Sequence, residues 1–346
     1  MTDTASPFYH LHLHSEFSLL DGAIRLNSLF KRCKEYGMDA VSMTDHGTMF
    51  GVAEFYEKAR KASIKPIIGC EVYVAPRTLN DRTQEDHKGL NHLVLLAKDR
   101  QGYANLCKLI SIAQLKGFYY KPRIDRQLLA AHSKGLIGMS ACLKGDIPQA
   151  ILKNNMAAAD AAAHYYIKTL GEGNFYLEVQ ENGMEIQHKV NAGIADLSQR
   201  LSIPMVATND CHYLSKGDSK AHEILLCIQT GNTITSEKRF KFDSDQLYFK
   251  SSQEMEDSLG SYPGAIENTR EVMAKCNVEF EKKSYHFPRY AQTEEESEDE
   301  LFKEKAMAGF EERFRLIKAN TPDVDETLYR ERLKYEIDII LNMGFP

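Results

Sequence analysis

The feature that most constrains this chain is a regular alternation over its first 230 or so residues. Short apolar runs rich in β-branched residues take turns with stretches of helical periodicity. The runs at 8–14, 40–44, 66–74, 92–97, 135–140, 174–180 and 204–209 read as strands. Helical patterns at 24–36, 49–63, 100–114, 146–170, 184–201 and 218–228 lie between most of them. Strands that alternate with helices form a parallel sheet or an α/β barrel. The barrel is favoured, because polar residues gather where these strands end, the place where barrel sites are built.

One connection departs from the alternation. Residues 75–91 form a polar loop without helical periodicity, so the strand at 92–97 is expected to run antiparallel to the one before it. The helical stretches 100–114 and 125–132 then return the chain to the barrel bottom. Beyond 230 the chain reads as loop-rich to about 290, with Tyr262-Pro263 and His286-Phe287-Pro288 as turn signals. An acidic run at 294–300 reads as a solvated linker or a helix start. Two amphipathic helices follow, one marked by Phe310, Phe314 and Ile317, the other by Tyr335, Ile339 and Ile340. The expected division is a barrel over 1–280 and a second segment over 281–346. The end at Gly344-Phe345-Pro346, reached without a polar tail, reads as a cut from something longer.

Composition narrows the class. Apolar content of 43% and charged content of 27% exclude wholesale disorder. No apolar run approaches the ~18 residues of a membrane span, and the first seven residues are too short and polar for a signal peptide. Seven cysteines without CxxC spacing point to a reducing cytoplasm. A net charge of −6 argues against a long basic groove, although part of it belongs to carboxylates placed to meet metal.

The chemistry lies in where the imidazoles and carboxylates fall. His10, His12 and His14 alternate with apolar residues and share one face of a strand. Asp21-Gly22 stands at a strand-to-helix turn. Thr44-Asp45-His46-Gly47 ends the next strand, and Gly69-Cys70-Glu71 puts a carboxylate into an apolar run, where it needs a partner. His92 opens the fourth strand, Cys142 follows the fifth, and Asn209-Asp210-Cys211-His212 follows the last. Each alone has an ordinary explanation: an exposed histidine face, a cap aspartate, a small core cysteine. Together they set His, Asp, Glu or Cys at the mouth end of nearly every strand. Imidazole, carboxylate and one thiolate suit Zn²⁺, Mn²⁺ or Fe²⁺, and so many ligands imply two or three ions. Clustered ions suit hydrolysis of a phosphate ester.

In order, His12-Leu13-His14, Asp21-Gly22, Thr44-Asp45-His46-Gly47, Gly69-Cys70-Glu71, Asn91-His92-Leu93, Cys142 and Asn209-Asp210-Cys211-His212 resemble the motifs of the polymerase and histidinol phosphatase (PHP) family. Ser18-Leu19-Leu20-Asp21-Gly22, the stretch Gly117-Phe118-Tyr119-Tyr120-Lys121-Pro122-Arg123-Ile124-Asp125 and Asn342-Met343-Gly344-Phe345-Pro346 resemble the N-terminal region of the bacterial replicative DNA polymerase III alpha family. The resemblance implies a distorted seven-stranded TIM-like barrel and a trinuclear centre. The ligands it implies are His12, His14, Asp21, His46, Glu71, His92, Cys142, Asp210 and His212. Asp210, His212, Glu71 and Asp45 are the implied catalytic groups, with Asp45 orienting a ligand, and His10 is structural.

All nine ligand positions hold competent residues, so the resemblance implies a 3′→5′ proofreading exonuclease. It also implies that residues 281–346 begin a polymerase palm whose catalytic aspartates lie elsewhere, so that the segment itself does not synthesise DNA. The implied partners are the DNA primer end, the rest of the polymerase, and a proofreading or other replisome subunit, with no membrane. Two other readings stand beside it: a metal-bound scaffold without catalysis, and a free-standing phosphomonoesterase of the histidinol phosphatase kind. The basic and aromatic residues Lys116, Phe118, Tyr119, Tyr120, Lys121, Arg123 and Arg126 either touch nucleic acid or form an ordinary barrel rim.

Overall fold

The computed structural model describes residues 8–280, 290 and 297–346. The Met1-to-Pro7 start, the His286-Phe287-Pro288 signal and the first part of the acidic run lie outside them. Seven strands form one curled sheet: β1 (Ala40–Met43), β2 (Lys65–Val74), β3 (Asn91–Ala97), β4 (Arg123–Ile124), β5 (Leu136–Met139), β6 (Phe175–Gln180) and β7 (Met205–Thr208). Their order is β1-β2-β3-β5-β6-β7, with β4 paired to β2. The architecture is a distorted seven-stranded α/β barrel, with helices packed outside.

Six of the expected strands form as read, and the seventh does not. Residues 8–14 make no regular ladder, yet they close the gap between β1 and β7. Ser42 N–H donates to the His10 carbonyl at 3.0 Å and Thr44 N–H to that of Leu13 at 2.9 Å. On the other side, His14 N–H donates to the Cys211 carbonyl at 2.8 Å and Cys211 N–H to that of His12 at 3.2 Å. Side chains take two of the donors that a ladder would use. Leu13 N–H goes to the Thr44 hydroxyl at 2.8 Å and Tyr9 N–H to the Thr269 hydroxyl at 3.2 Å. The seventh strand is instead the two-residue β4, inside the basic-aromatic stretch.

The antiparallel expectation holds. β3 runs against both β2 and β5, and the other pairs are parallel. The loop before β3 does contain one short helix, Gln84–Lys88, closed by a capping box between Thr83 and Asp86. The long helical pattern at 146–170 splits into Asp146–Leu152 and Met156–Leu170. Asn154 adopts a φ of 56° between them, and Asn155 caps the second. Two more helices, Ser252–Leu259 and Glu267–Lys275, occupy the region read as loop-rich. Ser251 and Glu254 form a capping box at the first, a sequence signal that the apolar pattern alone does not register.

The chain folds as two compact units, over 1–280 and 281–346. In the second, helices Glu298–Asn320 and Glu326–Asn342 pack through Phe314 and Ile337. Phe310, Phe314 and Tyr329 form a short aromatic row. Tyr335 and Ile339, expected on the packed face, are exposed; the inward row of that helix is Leu333, Ile337 and Ile340, at helical spacing. The described part of the acidic run, Glu298 to Glu300, forms the first helical turn, where carboxylates complement the helix dipole. Among the described residues no helix is long and apolar enough to cross a membrane.

Arg123 is fully buried in the rim. Its guanidinium donates to the carbonyls of Gly117, Asp81 and Leu79 at 2.9, 2.9 and 3.0 Å and lies over the Tyr119 ring. It ties the 75–91 loop to the 117–125 turn, and its buried donors are engaged by the chain's own carbonyls. Arg123→Met removes every donor and leaves three carbonyls unsatisfied. At ~1–3 kcal/mol for each buried orphan, the expected destabilisation is ~3 kcal/mol or more. A lower urea midpoint by circular dichroism would register it; an unchanged midpoint would show that water replaces the guanidinium.

Candidate metal centre

The strand ends deliver the site. β1 ends two residues before Asp45 and three before His46. Glu71 lies within β2, and the antiparallel β3 brings its first residues, including His92, to the same end. Cys142 follows β5, and Asp210 and His212 follow β7. The turns that aim them are conformationally unusual. Leu20 before Asp21, Ala141 before Cys142, and Asp210 itself have φ of 62°, 61° and 47°. Left-handed backbone at non-glycine residues is unfavourable and persists where the surroundings impose it. Gly22 answers a different need: a Cβ there would sit 2.0 Å from the Ser15 carbonyl oxygen. Only glycine permits that crossing, and it places Asp21 at the mouth.

Glu71 stands at the centre. One carboxylate oxygen lies 2.8 Å from His92 Nδ1, 3.4 Å from His12 Nε2 and 3.7 Å from Cys142 Sγ. The other lies 2.5 Å from His46 Nδ1 and 3.6 Å from His14 Nε2. Asp210 forms a second focus, with one oxygen 3.2 Å from His12 Nε2, 3.1 Å from His14 Nε2 and 3.7 Å from His212 Nδ1. Asp21 forms a third, 2.8 Å from His46 Nε2 and 3.8 Å from His212 Nε2. All nine residues read from the sequence as ligands therefore meet in one cluster.

Asp45 behaves unlike its sequence reading, and a second carboxylate that the reading passed over stands where it was expected. The hydrogen bonds of Asp45 go to Ser15 and not to an imidazole. Its oxygens accept from the Ser15 N–H at 2.6 Å and hydroxyl at 2.8 Å, fixing the backbone just after His14. That engagement departs from the expectation that Asp45 orients a ligand by holding its imidazole. Glu178 on β6, unnoticed in the sequence, holds the ligand instead, 2.9 Å from His12 Nδ1. The Thr208 hydroxyl at 2.6 Å and the Ala141 N–H at 2.7 Å fix its two oxygens. A carboxylate behind an imidazole sets which nitrogen faces the ion. Its signal, a carboxylate inside an apolar run, is the one that exposed Glu71.

His222, on helix Ser219–Gln229, was also missed. It is buried, with Nε2 3.5 Å from an Asp21 oxygen. Nothing local marks it, because its approach depends on a helix that follows the last strand. His10 stays apart from the cluster, with Nε2 2.8 Å from the Lys250 carbonyl, and burial pushes its pKa down to about 4.

The electrostatics are those of a site that calls for cations. Burial would lower His12, but Asp210, Glu178 and Glu71 outweigh it and hold the imidazole well above its ordinary value. Burial, then the neighbouring His46 and His212, push His14 down to about 3. Burial would raise Glu71, yet His92, His46 and His12 hold it well below the usual carboxylate range. Burial and the charges of Glu71 and Asp210 keep the Cys142 thiol well above its ordinary value; a bound cation reverses that balance.

His12 Nε2, His14 Nδ1, Asp21 Oδ1, His46 Nδ1 and Glu71 Oε2 are buried without a hydrogen-bond partner. His46 Nδ1 and Glu71 Oε2 approach to 2.5 Å without hydrogen-bond geometry. Orphaned donor atoms of this kind, turned toward one another, fit divalent ions. Among the described residues, groups with mutual ligand-atom separations within 4.8 Å are His14, His46 and His212; His12, His14 and Glu71; Asp21, His212 and His222; and His46, Glu71 and His92. Cys142 joins less tightly, 3.7 Å from both Glu71 and His92.

A cavity of about 660 Å³ opens onto the cluster. Its lining includes Asp21, His46, His92, Cys142, Asp210 and His212 of the cluster, together with Lys121, Lys144, Met184, Phe240, Lys241 and Phe242. Within the basic-aromatic stretch only Lys121 reaches this cavity. Arg126 is paired with Asp146, and Tyr120 packs against His87 with the rings tilted by 33°.

The family model of the PHP domain matches residues 10–182. DNA polymerase III subunit alpha of Helicobacter pylori (strain J99) is 39% identical over 98% of this chain and 29% of its own length. That of Thermus aquaticus is 41% identical over 94% of this chain and 27% of its own. The chain thus spans under a third of the length of these relatives. A solved structure of a candidate metal-dependent phosphoesterase from Bifidobacterium adolescentis aligns over 60% of this chain and 88% of its own, with 14% identity and a TM-score of 0.39. The chain belongs to the PHP domain family and is similar, along nearly its whole length, to DNA polymerase III alpha subunits.

Proposed function

We propose that this chain is the metal-dependent phosphodiesterase portion of a replicative DNA polymerase and removes nucleotides from a primer 3′ end. The observation that carries the reading is the convergence of nine ligand-competent residues on one barrel mouth, with unpartnered buried donor atoms facing one another. The donor set of imidazole, carboxylate and thiol suits two or three ions of Zn, Mn or Fe. Bound there, such ions supply Lewis-acid charge to a phosphoryl oxygen and make water acidic enough to attack at neutral pH.

The residues of the chain do the rest. Glu71 and Asp210, each flanked by several imidazoles, would hold the ions together with those rings. Glu178 keeps His12 in one tautomer by holding Nδ1. Lys121, Lys144 and Lys241, which line the same cavity, offer positive charge to a phosphate. Phe240, Phe242 and Met184 give an apolar surface on which a base can stack. The cavity suits one or two nucleotides and is too small for a duplex, which favours a frayed single-stranded end.

Residues 281–346 are then the beginning of a palm. The partners are DNA, the rest of the polymerase and other replisome subunits, in the cytoplasm. A non-catalytic, metal-bound scaffold that docks a proofreading subunit is the alternative the same ligand set allows.

Protein purified without chelators is expected to carry more than one transition-metal equivalent by elemental analysis. Metal-free protein with its ligands intact would sink the reading. With Mn²⁺ or Zn²⁺ present, the chain should release 3′-terminal nucleotides from a labelled primer, and Asp210→Asn should slow release by roughly 100-fold or more, the scale of losing charge stabilisation at a reacting centre. Equal rates would leave the scaffold. Cys142→Ser is expected to weaken one ion and leave the fold in place; unchanged metal content would make Cys142 an ordinary core residue.

A further inference from the structure

We propose that His222 is a further metal ligand, and that it closes the coordination of the ion held at Asp21. The proposal rests on the metal-binding reading above and extends the ligand set beyond the nine strand-end residues.

The two oxygens of Asp21 do different things. Oδ2 lies 2.8 Å from His46 Nε2. Oδ1 has no hydrogen-bond partner and faces two imidazole nitrogens, His222 Nε2 at 3.5 Å and His212 Nε2 at 3.8 Å. His222 Nε2 is itself buried and unpartnered, on a side chain that is 3% exposed. A hydrogen bond would have drawn such atoms together. Separations of this size instead suit a shared ion, since ligands at about 2.0–2.1 Å in a tetrahedral shell stand roughly 3.4 Å apart. Asp21, His212 and His222 form a group whose ligand atoms all lie within 4.8 Å of one another.

The surroundings hold the ring in place. His222 stacks on Phe242 at 5.7 Å with an interplanar angle of 19°, and lies 5.2 Å from the His212 ring. Its helix, Ser219–Gln229, starts after the last strand, so this ligand arrives from outside the barrel staves.

The consequence is a division of labour. An ion held by Asp21, His46, His212 and His222 has four protein ligands, the closed shell of a structural site. Such an ion would tie helix Ser219–Gln229 to the barrel, and Glu71 and Asp210 would be left to hold the ions that make water acidic.

The test is cobalt substitution of the whole chain, followed by absorbance and by equilibrium dialysis. Wild type should show the intense visible bands of four-coordinate Co²⁺. His222→Ala should lose one cobalt equivalent, or bind it at least ~10-fold more weakly, with those bands diminished. His222→Asp, which returns an anionic ligand, should recover the stoichiometry, separating ligation from mere packing. Circular dichroism confirms that the variants are folded. Cobalt content and bands in His222→Ala identical to wild type would overturn the proposal and leave the nine-ligand reading standing. Wild type that binds no cobalt would overturn both.

Discussion

The structure depends on what is needed to keep Glu71 charged inside a barrel. It is 1% exposed on a ten-residue strand whose other residues after the first are all buried. Burying an unpaired carboxylate costs several kcal/mol at least, so the chain must surround it with positive or polarisable partners. Four imidazoles and a thiol do this, gathered from separate segments of the chain. The reversal of β3 follows from the same need. Run parallel, the strand would carry His92 to the far end of the barrel; run antiparallel, it sets the first residues of β3 beside the last of β2.

Much of this was legible because strand chemistry is local. The period-two pattern of residues 8–14 put His12 and His14 on one face, and a carboxylate in the apolar run around Glu71 demanded company. Runs that end in Asp-His or Asp-Cys-His marked the mouth. The polar loop 75–91, lacking a helix long enough for a crossover, gave away the direction of β3.

What stayed hidden was set by distant contacts. Asp45 follows a strand as a ligand would, but Ser15 reaches it first with two donors. Residues 8–14 have strand composition, yet hydroxyls of Thr44 and Thr269 take donors that a ladder would use. Arg123 sits in a stretch that reads as phosphate-seeking, whereas three carbonyls of its own chain occupy it. His222 has no sequence mark at all, because helix Ser219–Gln229 is placed by packing and not by pattern.

The missing ladder at residues 8–14 has a further meaning. This segment is the seam at which the sheet closes on itself, and it carries two of the ligands. Its backbone is shared between β1 and β7 through only a few hydrogen bonds. An ion held by His12 and His14 together with Glu71 and Asp210 would be a clasp across that seam, since Glu71 on β2 and Asp210 after β7 lie on either side of it. Ligands that bind only the folded chain stabilise it by mass action, by ~2.7 kcal/mol at a hundredfold excess over Kd. On the metal-binding reading, metal supply in the surrounding medium would set how firmly the barrel stays shut.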